Sequence, residues 1–451
     1  MYSLLLFLPE IRELILQKQI ERLKILLSEL HSIDIAEGFG EFTFEEKLIL
    51  FRCLSADVAI NVFTKLNFEQ QKEIIDSLSK ERLTHVLEQL PSDDRADFFS
   101  ELSPDVVNRL FALMKKEEVE DTVSLLRYKE DTAGGIMTTE YVALLEDITV
   151  EKAINHLRDA KEAETIFYIY VINKYNHLCG VIAIRTLIMS KREALLKDIM
   201  KTNVIKVGVN CDQEEVAQMV KKYAILAIPV TDHNNKLLGI VTVDDCIDVL
   251  EEEATEDIFK MAGASFAEKY AREPVHKIAG IRLPWLIICL VGELFSAWVI
   301  KSFNITLNEV IALAFFIPII MAMGGNVGAQ SSTSIVRGMA IGTIEFKRIH
   351  RIILKEISIG AIMGIVCGFI VGILIMFILG IKRFMLGIVV GLSIFVALFV
   401  ATLIGTTFPL IFKRLNIDPA IATVPFVTTI VDITGLVIYF SLATALIHYL
   451  V

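Results

Sequence analysis

From Gly280 to the end, the chain is a succession of five long apolar runs, roughly 281–301, 310–340, 352–380, 384–412 and 421–449. At about 1.5 Å of rise per residue each is long enough for the roughly 30 Å hydrocarbon core of a bilayer. In that medium backbone polar groups must be satisfied internally, so the runs are expected to be helices. Composition agrees: the hydrophobic fraction is 54% and the mean hydropathy +0.57, too apolar for an ordinary soluble protein. Most of the charge lies before Gly280. The expectation is a soluble half followed by a membrane half.

Basic residues set the orientation. Arg272, Lys277 and Arg282 precede the first run, Lys347, Arg348, Arg351 and Lys355 lie between the second and third, and Lys413 and Arg414 between the fourth and fifth. Lys301 and the Lys382–Arg383 pair stand on the other side. The majority places the N-terminal half in the cytoplasm and the C-terminus outside. The opening stretch Met1–Pro9 lacks the basic start and small-residue cleavage site of a secretory signal. A net charge of -11 argues against nucleic acid, and it suits either simple solubility or cations. Six scattered cysteines contain no C-x-x-C pair, so neither a zinc site nor a disulfide framework is indicated.

Within residues 1–130 the positions Leu54, Leu66, Leu78, Leu90, Leu102, Met114 and Leu126 fall twelve apart. Ser, Asn or Pro usually follows, an acid comes three after the Leu, and an apolar residue nine after it (Phe63, Ile75, Leu87, Phe99, Phe111). This predicts one short helix and a tight turn per unit, with Ser or Asn as N-cap and the acid complementing the first-turn dipole. Such units stack into an α-helical solenoid. Asp93, Asp94 and Asp97 crowd one unit; one is expected to cap and the others to face a partner or a cation.

Two segments of residues 131–250 repeat each other. Each opens with Ile-Met (Ile136–Met137, Ile199–Met200), has an acidic helix start, and then two strands around a polar turn (Asn173–His177, Asp232–Lys236). The pattern resembles a pair of CBS domains, an α/β sensing module. The resemblance implies an adenine-nucleotide site at Thr242 and Asp245; the first repeat has Arg185–Thr186 instead, without the acid. A purely structural pair is the alternative.

Negative charge then concentrates before the membrane. On a helix Asp245, Asp248 and Glu252 share a face, as do Glu253, Glu256 and Asp257. Like charges at these steps repel by a few tenths of a kcal/mol per pair, which a divalent cation would relieve. A solvated charged helix is the plainer reading.

In the apolar half one stretch combines helix-breaking, small and amide-bearing residues: Pro318, Gly324, Gly325, Asn326, Gly328 and Gln330. Such sequence is tolerated at membrane depth where protein or a water-filled cavity satisfies it, so it is a candidate pore wall. Asp432, about a dozen residues into the last run, lies near the bilayer centre, where a charge costs about 2.5 to 3.5 kcal/mol. It is expected to face a cavity, a partner or an ion. Glu293 is a second intramembrane acid, equally suited to an interhelical bond. Asp418 sits at the inner end of the last run.

Along its whole length the chain resembles the MgtE family of magnesium transporters. The carrying motifs are Pro318 to Gln330 and Pro425 to Gly435 around Asp432. The resemblance implies a multi-domain membrane protein: an α-helical solenoid N domain (1–130), an α/β CBS pair (131–250), an acidic connecting or plug helix (251–278) and an all-α five-span pore domain (279–451). It further implies a homodimer in the cell membrane, Mg2+ as cargo and regulator, and ATP as a regulatory ligand. The pore would be lined by Pro318, Gly325, Asn326, Gln330, Pro425 and Thr428 around Asp432, with Asp418 at its inner end. Cytoplasmic magnesium on Asp93, Asp94, Asp97, Asp212, Glu214, Asp245, Asp248, Glu253, Glu256 and Asp257 would close it. The family often has an acid near Ala224 and a smaller or polar residue at Val424, so those positions depart from its pattern.

A less selective Mn2+ or Co2+ carrier is the nearest alternative. An intramembrane protease would need H-E-x-x-H, which His276, His350 and His448 do not form. An anion channel would favour intramembrane basic residues over Asp432. No P-loop for ATP-driven pumping is present, and no enzymatic activity is expected.

Overall fold

The computed structural model describes residues 4–159, 165–264, 275–344, 349–379, 384–422 and 424–449, in two units, Met1–Leu250 and Glu251–Val451. Arg272, Lys347, Arg348, Lys382 and Arg383, used above for orientation, lie outside the described residues.

In the first unit the twelve-residue period becomes helix spacing: consecutive helices begin at residues 44, 56, 68, 80, 92, 104 and 116. Leu54, Leu66 and Leu90, with Phe63, Ile75, Leu87 and Phe99, are buried in one continuous core. Phe99 stacks on Phe111 of the next helix with ring centroids 4.9 Å apart. Thr43 and Asn67 close capping boxes with Glu46 and Gln70. Ser55, Ser79 and Ser103 hold the N-cap position without a capping bond, leaving the first-turn acids Asp57, Glu81 and Asp105 to act on the dipole.

The Ser92–Ser100 helix corrects one expectation. Pro91 takes its N-cap position and no side chain caps it. Proline starts the helix one residue ahead of the carboxylates, so Asp93 and Asp94 fall inside the first turn. Asp93 is buried, Asp94 half-buried and Asp97 exposed.

The two following repeats fold alike. In each, a short strand pairs in parallel with a central strand, which pairs antiparallel with a third: Ala143–Leu145, Tyr168–Ile172, Leu178–Ala183, then Val207–Gly208, Ala227–Thr231, Leu237–Thr242. Their hairpin turns match. Asn173 and Asp232 each accept backbone N–H bonds from residues two and four later, and Asn176 and Asn235 take left-handed backbone angles. The turns also bond reciprocally, Leu178 N–H to Asn235 O and Leu237 N–H to Asn176 O.

The acidic run lies on one helix, Val243–Met261. This helix stops at Met261 within the expected 251–278 connector: Gly263 adopts φ +65, and Ala264 N–H reaches Phe259 O while Gly263 N–H reaches Lys260 O. That is a Schellman stop, which glycine permits at no steric cost. Residues 265–274 of that connector lie outside the described residues.

Among the described residues the second unit holds five helices long and apolar enough to cross a membrane: Val275–Ser302, Ile311–Ala340, Ile349–Ile378, Phe384–Arg414 and Pro425–Ala445. The third and fourth meet backbone to backbone. A Cβ on Gly368 would lie 2.4 Å from Gly391 O, so only hydrogen fits there.

Candidate cation pathway

The second span corrects another expectation. Its glycines and proline do not break it; Ile317–Ala340 is a continuous helix. Pro318 falls in the first turn, where its missing N–H costs nothing. The glycines serve packing instead. Gly324 lies against Val431, Gly325 against Thr428, and Gly328 against Val427 and Val431 of the fifth span, and Gly405 of the fourth abuts the carbonyl of Gly328.

This close approach divides the second span into two faces. Gly324, Gly325, Val327, Gly328, Ser331 and Ser332 are buried against neighbours, whereas Asn326, Gln330, Thr333, Ser334 and Arg337 are exposed on the outward side. A row of amides and hydroxyls at membrane depth faces away from the remainder of the unit.

Asp432 sits behind that helix, 6% exposed. Its Oδ1 lies 3.8 Å from where a Gly325 Cβ would stand, and it is buried without a hydrogen-bond donor. The carboxyl of Glu293, from the first span, is its charged neighbour and lies within hydrogen-bonding reach of the Asp432 side chain. The first and fifth spans run in parallel, through Cys289 Sγ to Pro425 O at 3.9 Å, Gly292 against Thr429, and Phe303 stacked on Phe440. The same stagger puts Ser296 level with Asp432 and Ile433. Its hydroxyl is also buried and unpartnered. Sequence reasoning missed Ser296; the available signal was a small polar residue one turn after Gly292–Glu293. Pro425 presents its carbonyl to Thr429 Oγ1 at 2.8 Å, and Pro318 is exposed at the start of its helix.

Asp418, expected at the inner end of the path, is already engaged. Its Oδ1 accepts Ala420 N–H at 2.8 Å and its Oδ2 binds Lys260 Nζ at 2.8 Å, while Lys260 also reaches Glu256 Oε1 at 2.7 Å. Burial alone would lower the Lys260 pKa, but Asp418 and Glu256 outweigh it and hold the ammonium above its ordinary value. Glu253 and Asp257 are half-buried on the same helix.

The first unit brings a second set of acids together. Asp94 faces Asp245, Asp244 and Asp248. Burial, then Asp245, push its pKa up to about 6, against the pull of Lys65. Burial also raises Asp245, although the Thr242 hydroxyl bonds its Oδ2 and opposes the shift. Lys65 Nζ lies 3.6 Å from Asp248 Oδ2. The two residues of the expected nucleotide site, Thr242 and Asp245, thus bind each other. Asp212 and Glu214 are elsewhere, at the start of the Gln213–Tyr223 helix, where Asp212 caps Glu214 N–H and Glu214 accepts from Gln218. Among the described residues no three His, Cys, Asp or Glu gather closely enough to form a ready-made metal cage.

Arg95, also missed, is fully buried three residues after Ser92. It bonds Thr122, the carbonyls of Leu87 and Leu90, and Glu118 at 2.7 Å, with Asp121 at 3.6 Å. Asp121 and Ser92 both bond Thr139 at the start of the repeats. Arg95 therefore fixes the helix that presents Asp94.

Residues 317–442 match the family model MgtE, described as a divalent cation transporter, residues 30–131 the MgtE intracellular N domain, and residues 133–192 and 196–252 the CBS domain. The chain is 35% identical to the magnesium transporter MgtE of Thermus thermophilus over 94% of this chain and 95% of that protein. It is 36% identical to the magnesium transporter MgtE of Bacillus subtilis over 96% and 95%. Among solved structures, the cytosolic domain of the Mg2+ channel MgtE in complex with ATP superposes with a TM-score of 0.51 at 36% identity, covering 53% of this chain and 98% of that one. The soluble part of a magnesium transporter gives 0.51 at 34% identity, covering 55% and 97%.

Proposed function

The chain belongs to the MgtE family and transports magnesium, and we propose that it does so as a gated homodimer in the cell membrane whose path passes Asp432. The observation that carries this reading is the buried Asp432 Oδ1, without a donor, behind the backbone of Gly325. A carboxylate left so at membrane depth is stabilised by a cation. Mg2+ sheds water reluctantly and takes oxygen ligands in octahedral array, so one carboxylate with backbone, hydroxyl and amide oxygens suits an ion that keeps most of its water.

The outward polar face supports a pair of copies. Asn326, Gln330 and Thr333 are poorly satisfied by lipid, and a second chain presenting the same row would enclose them in a hydrated lumen. Thr428 and Pro425 stand on the facing span, and Pro318 at the outer entrance. The basic loops support a cytoplasmic N-terminal half and an external C-terminus.

Gating rests on the acids. Asp94 faces Asp244, Asp245 and Asp248 at a cost that Mg2+ in the cytoplasm would remove, favouring the assembled arrangement over a separated one. Asp93 and Asp97 on the same helix, Asp212 and Glu214, and Glu253, Glu256 and Asp257 on the connector would extend that response. ATP is the fitting nucleotide for the Thr242–Asp245 site, as a regulator. Magnesium flux into proteoliposomes at set internal magnesium tests the gate: the parent's flux should fall as internal magnesium rises, and neutralising Asp94 together with Asp248, which removes the repulsion that magnesium offsets, should make closure less dependent on internal magnesium. Flux insensitive to internal magnesium would contradict it.

A further inference from the structure

Lys260 is the one basic side chain near the end of the Val243–Met261 helix, and it is divided between two acids. Its Nζ lies 2.7 Å from Glu256, one turn back on its own helix, and 2.8 Å from Asp418, between the fourth and fifth spans. Both bonds have the length of strong charge-assisted ones. The other oxygen of Asp418 accepts Ala420 N–H, which helps to orient the carboxylate toward Lys260. Immediately after Lys260 the chain turns at Gly263, whose Cα carries no side chain where a Cβ would approach Pro425 Cγ to 3.2 Å and Trp285 to 3.9 Å. The end of the connector therefore rests on the inner ends of the first and fifth spans, and Lys260 is a charged group that joins the two through Asp418.

We propose that Lys260 is an ionic latch: its ammonium ties the connector helix to Asp418 at the inner mouth of the pathway, supplying at this point the positive charge that magnesium supplies elsewhere in the gate.

The ammonium is covalently tethered, so its contact forms at any magnesium level. Without it, Glu256 and Asp418 would face each other as two carboxylates, and closing the mouth would require a free cation between them. Lys260 is thus a positioning residue of the gate, and it lowers the magnesium needed for closure. This inference rests on the gated reading above.

The test uses the full-length protein in proteoliposomes, with magnesium influx recorded across a series of internal magnesium concentrations. In Lys260→Gln the half-closing concentration should rise about three- to tenfold, the range expected for losing one partly exposed charge-assisted contact. Lys260→Arg, which keeps the charge, should stay within about twofold of the parent. Asp418→Asn should reproduce the rise, and the double variant should add nothing to it, because both changes remove the same bond. Should the Gln variant not fold, the Asp418→Asn and Lys260→Arg pair makes the same comparison. Closure of Lys260→Gln at the parent's concentration or a lower one would overturn the latch while leaving the gate standing. An equal rise in Lys260→Arg would also overturn it, showing that shape rather than charge matters. A parent that does not close at all would bring down the gated reading and the latch together.

Discussion

Gly325 on the second span and Asp432 on the fifth approach so closely that a Cβ at Gly325 would lie 3.8 Å from Asp432 Oδ1 and only 2.8 Å from Thr428 Cγ2. The fifth span's carboxylate is therefore presented across a backbone rather than across side chains. Gly325→Ala should push the two spans apart by a few tenths of an ångström. The expected result is at least tenfold slower magnesium influx, with a stability loss of about 1 to 3 kcal/mol from overpacking. Parallel measurements of flux and thermal unfolding in detergent check both; unchanged flux would show that the close approach does not shape the path.

The raised pKa of Asp94 predicts a pH response. Its carboxyl titrates near 6 in the folded protein against 3.8 as an ordinary value. The folded state therefore binds the proton more tightly than the unfolded one. The stability this brings is fully present below about 4 and disappears as pH rises through about 6. In magnesium-free buffer the first unit should gain about 1 kcal/mol between pH 7 and pH 5, a figure kept a little below the linkage value for that interval because the neighbouring acids titrate together. Saturating magnesium should flatten the gain, since cation and proton relieve the same repulsion, and Asp94→Asn should abolish it. Thermal unfolding across that pH range, with and without magnesium, measures all three.

Ala224 ends the Gln213–Tyr223 helix in the left-handed region, at φ 50 and ψ 47. Alanine is strained there and glycine is not. Ala224→Gly should stabilise the protein by about 1 kcal/mol, read as a higher unfolding temperature with magnesium transport unaltered. A lower unfolding temperature would mean that the alanine methyl makes a compensating contact.

Much of this architecture is legible in the sequence because it is periodic or solitary. A strict twelve-residue repeat survives as helix starts at twelve-residue intervals, and Asp432 stands out as a charge in an apolar run. The Pro318–Gln330 stretch is legible as special but not in kind: its composition reads as a broken helix, whereas Pro318 falls at a helix start and the glycines serve neighbours. Other features depend on which elements meet. Glu293 beside Asp432, Ser296 level with it, Arg95 clamped by Glu118 and Asp121, and Lys260 bridging Glu256 to Asp418 join residues separated by turns or whole spans, and no local pattern announces them. Asp418 and Asp245 illustrate the converse. Both read as free acids, and both are engaged, by Lys260 and Thr242.

The central claim is that magnesium passes Asp432. Asp432→Asn keeps the side chain's shape and removes its charge, so magnesium influx into proteoliposomes, with the dimer verified by size in the same preparation, tests it most directly. Influx should fall at least a hundredfold, in line with the loss of roughly 3 kcal/mol of charge stabilisation at membrane depth. An Asn variant that folds, dimerises and carries magnesium at the parent's rate would contradict the account.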